Sequence, residues 1–256
     1  MLWNRSRLFY NILSISLCLA LFGTSLGRYP AVYGAEDVQK FVDALQQNGY
    51  SDLGVYYLEQ LKEQGKLPEA MAASYDFQLA KMMVGTFGLI LDMQERMKEY
   101  DRAIGLFEKF IKEKPNDPNT PEAILIFPTV CLDRANTYMQ LSKLPNVSEA
   151  EKKQYEEKAR ADLNKTITFL DEQTKRLLEE AKKLDPKSEN EEIKKKYGDM
   201  VGQLNLIRFS KADATYELAQ TYPEGSKERN DQLNNAFQQY SFFWRVYSSS
   251  GLFIAY

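Results

Sequence analysis

The chain has 256 residues, of which 44% are hydrophobic and 27% charged, a balance that specifies a globular chain and excludes disorder. It contains no histidine, so the commonest general base and the commonest metal ligand are both missing. Residues 1–34 hold Arg5, Arg7 and Arg28 and no acid, so without them 33 cations become 30 against 36 acids, a net charge of −6. A body of that charge argues against a phosphate-binding stripe and hence against a nucleic-acid partner.

Arg5 and Arg7 precede an apolar run from Leu8 to Phe22, and small residues follow at Ser25, Gly27, Gly34 and Ala35. This is the layout of a secretory signal peptide over 1–34, with cleavage expected after Gly27 or after Gly34. The alternative is an uncleaved membrane anchor, for which the run is short and diluted by Asn11, Ser14 and Ser16. No other stretch is apolar enough to span a bilayer, so a membrane contact is expected only through this segment. Cleavage also removes Cys18 and leaves Cys131 as the one thiol, which can form neither an internal disulfide nor a cysteine zinc site.

From residue 35 onward the pattern predicts helices almost throughout, since no segment alternates as a strand does. A first helix is expected from Glu36 to about Gln47, ended by Asn48-Gly49, and a second from Ser51 to about Gln64, ended by Gly65. Leu67-Pro68 opens a third that extends to about Lys98. A fourth, from about Tyr100 to Lys114, stops at Pro115. The linker 115–121 starts a fifth that reaches about Leu144 and that Pro128 should kink or divide, because proline cannot donate the backbone hydrogen bond.

Ser148-Glu149-Ala150-Glu151 has the form of a capping box, and a long helix follows to about Leu184. Its stripe of Tyr155, Ala159, Leu163, Ile167, Leu170 and Leu177 keeps to one face, with charges on the other. Ser188-Glu189-Asn190-Glu191 reads as a second capping box, opening a helix to about Tyr222. A last helix runs from near Ser226 to about Tyr247.

One pattern recurs on the second helix of each expected pair: a small residue, a large apolar one four later, and another three after that. It occurs as Gly54/Leu58/Leu61, Ala103/Phe107/Phe110 and Ala236/Tyr240/Phe243. The small residue lets antiparallel helices approach, and the large ones fill the space between neighbouring pairs. The run Tyr100-x-x-Ala103-Ile104-x-x-Phe107-x-x-Phe110-Ile111-x-x-x-Pro115 resembles the second helix of a tetratricopeptide repeat (TPR), in the form found in bacterial envelope TPR proteins. Leu218-Ala219-x-x-Tyr222 and Ala135-x-x-Tyr138 are similar to parts of its first helix. The spacing departs from the family: Gly54 to Ala103 is 49 residues and Ala103 to Ala236 is 133, against a period of about 34.

The fold expected is therefore all-α, with antiparallel helix pairs stacked as an irregular TPR-like solenoid over 35–256. The resemblance implies a non-catalytic exported scaffold or adaptor of the periplasm or bacterial envelope, whose partners are other proteins or peptides. It places Asp92, Glu95, Asn136, Met139, Asp213, Tyr216 and Gln220 on a groove lined by first helices. The alternatives are a helical protein that binds a substrate or glycan, and a membrane-tethered scaffold.

No Ser-His-Asp or Cys-His arrangement is available without histidine, and no glycine-rich phosphate loop occurs, so neither an enzyme nor a cofactor is expected. Gly85-x-x-Gly88 fits close helix packing instead. Near the C-terminus Phe242, Phe243, Trp244 and Phe253 are more aromatic surface than one helix face can bury. They are expected to form an interface, with a longer C-terminal continuation or with a second copy, as though the array were incomplete there.

Overall fold

The computed structural model describes residues 35–249, with side chains described for 38–243. The expected signal peptide lies outside the described residues. Nine α-helices and one 3-10 turn follow in order, with no strand among the described residues. They are α1 (Ala35–Gln47), α2 (Ser51–Glu63), α3 (Glu69–Ala72), α4 (Tyr75–Val84), the turn Phe87–Leu89, α5 (Met93–Glu113), α6 (Thr120–Leu141), α7 (Glu149–Ala181), α8 (Glu191–Gln220) and α9 (Lys227–Ser249).

Local chemistry sets most of these boundaries. Gly49, Gly65 and Gly225 take positive φ of 78°, 62° and 76°, where a side chain would be strained, and they turn the chain after α1, after α2 and before α9. The Ser148–Glu151 capping box is present: the Ser148 N–H donates to Glu151 Oε2 at 2.9 Å, and the Glu151 N–H to Ser148 Oγ at 3.3 Å. Before α8 the cap is Asn190 rather than Ser188. Its Oδ1 accepts the N–H groups of Glu192 and Ile193, so the second capping box expected from the sequence does not form.

Another expectation is corrected. The chain from Leu67 to Lys98 is not one helix but α3, α4, the 3-10 turn and the start of α5. Asp92 causes the last restart: it is the N-cap of α5, accepting from the N–H groups of Gln94 at 2.8 Å and Glu95 at 3.0 Å. Gly85 ends α4, and a Cβ there would lie 2.2 Å from Ser51 Oγ. Pro128, by contrast, does not divide α6, which runs through it. Ile124, Phe127, Pro128 and Val130 are all buried, and packing holds the helix together past the lost hydrogen bond.

α1 packs on α2, the short α3 packs back on α1, α2 packs on α4, and from α4 to α9 each helix packs on its neighbour in sequence. Phe127 meets Phe169, Arg134 meets Asp162 and Tyr138 meets Tyr155, a falling and rising order that makes α6 and α7 antiparallel. Asp171 with Lys211, and Arg160 with Thr221, do the same for α7 and α8. α4 also touches α6, and α6 touches α8, so the first helices of successive pairs adjoin. Second helices are tied by the ion pairs Glu59–Arg102 and Glu108–Lys165.

The recurring small residues sit where close approach requires them. Gly54, Ala103 and Ala236 are all buried, and a Cβ on Gly54 would lie 1.8 Å from Met82 Cε. The largest hydrophobic cluster runs from Val38 on α1 to Leu141 on α6 and includes Phe77, Phe107 and Phe110. Two small clusters hold the second half: Ile124 with Leu170, Leu177, Leu204 and Ile207, and Ala135 with Ala159, Leu163 and Leu218.

Candidate functional site

The open face of the second half is built by α6 and α8. One side of α8 is committed to packing through Leu204, Ile207, Ala214 and Leu218. At helical spacing on the other side lie Leu206, Phe209, Asp213, Tyr216 and Gln220. The apolar members remain open, with 55% of Leu206, 48% of Phe209 and 44% of Tyr216 exposed. Three large apolar side chains on one stripe make a patch, where a single one would be ordinary surface.

α9 supports this stripe from one edge. Phe209 is met edge-on by Tyr240 and Phe243, each with ring centroids 5.7 Å away. The Tyr240 hydroxyl donates to Asp213 Oδ1. Burial, followed by that hydrogen bond and the carboxylate charge, raises the Tyr240 pKa, so the hydroxyl remains a donor. Glu217 is half-buried beside Asp213. Desolvation raises its carboxyl pKa, the Asp213 charge raises it further, and Lys143 acts in the opposite direction. Asp133, on the open side of α6, is likewise raised by desolvation. The face is thus apolar and carboxylate-bearing.

The residues expected to line a groove divide into three groups. Asp213 and Tyr216 lie on the α8 stripe, and Asn136 is half-exposed on α6 with no side-chain hydrogen bond among the described residues. Met139 and Gln220 are near but otherwise engaged. Met139 packs against the cluster of Ala135, Ala159, Leu163 and Leu218, and Gln220 Oε1 accepts from Arg229 Nη2 at 2.9 Å, tying α8 to α9. Asp92 and Glu95 do not belong to a first helix. They open α5, where Asp92 is fixed as N-cap, its carboxyl held low by the backbone N–H groups of Glu95 and Gln94. Glu95 pairs with Lys98 at 3.0 Å. Their assignment rested on the register of the second helix alone.

Leu206, Phe209 and Glu217 were not identified from the sequence. The first two continue the spacing of Asp213, Tyr216 and Gln220 by one and two turns, so the signal was present. Glu217 was not legible, because its environment comes from Asp213 on its own helix and Lys143 on another segment.

Of the C-terminal aromatics, Phe242 is 45% exposed and Phe243 is half-buried. The Trp244 side chain and Phe253 lie outside the described residues. Cys131 is buried in the main cluster, and desolvation pushes its thiol up to about 12. Among the described residues no group of three or more His, Cys, Asp or Glu is placed to hold a metal, and no helix is long and apolar enough to cross a membrane. No protein-family model matches the chain, and a comparison with curated proteins finds no match.

Proposed function

We propose that this protein is a non-catalytic, TPR-like scaffold or adaptor of the bacterial envelope, exported by its N-terminal segment, that binds other proteins through the α6–α8 face. One observation carries the reading: the exposed stripe of Leu206, Phe209 and Tyr216, interleaved with Asp213 and Glu217. Such a stripe suits a peptide or partner helix with apolar side chains spaced by cations. The apolar contacts supply affinity, and the carboxylates select against acidic partners. The non-catalytic part of the reading rests on the lack of histidine and on a thiol too buried and too weakly acidic to act as a nucleophile.

Affinity capture from an envelope extract tests it, comparing the wild-type domain with Phe209→Ser/Tyr216→Ser and with Leu91→Ser. Leu91 is 91% exposed in the link between the 3-10 turn and α5. The expected result is a set of proteins retained by wild type and by Leu91→Ser and lost from the double variant. Identical capture by all three, with folding intact, would sink the proposal.

A further inference from the structure

A second recess lies on the other side of α8, where α7, α8 and α9 meet. Its volume is about 360 Å³, within the range of small-molecule sites. Charge sets it apart. The body of the protein is acidic, yet this recess presents Arg208 and Lys211 against a single carboxylate, Asp171. Lys211 is taken up by Asp171 at 2.6 Å. Arg208 has no carboxylate partner among the described residues. Its guanidinium lies over the ring of Phe242 at 5.3 Å, which occupies its face and leaves its N–H edges for an acceptor.

The hydrogen-bonding groups of the recess are also incompletely used. Gln239 donates its side-chain amide to Asn235 Oδ1 at 2.9 Å and to Thr215 Oγ1 at 3.3 Å. Those two bonds fix its orientation, and its Oε1 is buried with no partner. Thr174 Oγ1 across the recess is in the same state. Both atoms are closed off by the protein around them, so the group left open to a ligand is the Arg208 edge. Phe242 and Phe243, edge to face at 5.8 Å, supply an apolar wall.

We propose that this recess binds a small aromatic carboxylic acid. The carboxylate accepts from the Arg208 edge, and the ring lies against Phe242 and Phe243. This site is separate from the α6–α8 face and does not depend on the protein-binding reading.

The probe is 4-hydroxyphenylacetate, titrated calorimetrically into the 35–256 protein. Its comparison is 2-(4-hydroxyphenyl)ethanol, which keeps the ring and hydroxyl and lacks the charge. The acid is expected to bind with a Kd of about 1 mM or tighter, and the alcohol at least about tenfold more weakly. Arg208→Gln should weaken the acid by at least about tenfold and leave the alcohol unchanged, while Arg208→Lys, which keeps the charge without the fork, falls between. No binding of the acid, equal binding of acid and alcohol, or an Arg208→Gln variant that binds the acid as wild type does would each overturn the proposal. If Arg208→Gln does not fold, the acid–alcohol comparison on the wild-type protein and the Arg208→Lys variant still decide it.

Discussion

Helix α4 and the far ends of α7 and α8 are opposite ways of making a helix. α4 is ten residues long, ends in glycine, and buries Tyr75, Phe77, Gln78, Leu79, Ala80, Met82 and Met83. An isolated helix of that length is marginal in water, so it exists because neighbours cover it. From Glu191 to Gln203 on α8, by contrast, no residue is buried, and beyond Leu170 the paired stretch of α7 buries Leu177 alone. That hairpin rests on caps, on helix formers such as Glu, Lys and Leu, and on pairs such as Glu191–Lys194 at 2.8 Å. A helix can therefore be fixed by its surroundings or by its own residues, and the second kind leaves surface free.

The largest expected effect tests the first kind. Phe107→Ala should cost about 3–5 kcal/mol, because Phe107 is fully buried beside Phe77 and its cavity cannot easily collapse. Leu177→Ala, in the thinly packed hairpin, should cost about 2 kcal/mol, near the lower end for such a change. Urea unfolding of both variants checks this, and equal losses would erase the contrast between the two regions.

A smaller effect tests the close approach that brings helix pairs together. Ala103 is fully buried on α5, so Ala103→Leu should overpack the contact and cost about 1–3 kcal/mol. A melting temperature equal to wild type would show that the site has slack that the packing does not suggest.

The smallest effect concerns the half-exposed face of α8 and is directional. Glu217 has a raised pKa in the folded state, so folding favours its protonated form. Stability is therefore fully present below the ordinary carboxyl range and is lost as pH rises through the raised value. Glu217→Gln removes that loss. Unfolding curves from about pH 3 to about pH 8 should show the variant gaining on wild type as pH rises, with the two converging in acid. A constant difference across the range would mean that Glu217 is solvated like a free side chain.

The sequence by itself determined that the chain is all-α, where most helices begin and end, and which small residues permit close approach. These are local properties: caps, glycines at positive φ and apolar spacing act within a few residues of themselves. Its error between Leu67 and Lys98 was also local in origin, since a continuous helical pattern concealed the cap at Asp92. Tertiary structure alone decided which exposed residues share a surface. Phe209 meets Tyr240 and Phe243, Arg208 lies over Phe242, and Thr174 faces the recess that also holds Gln239. Each of those pairings joins residues more than twenty positions apart, and spacing within one helix carries no information about the helix that packs beside it.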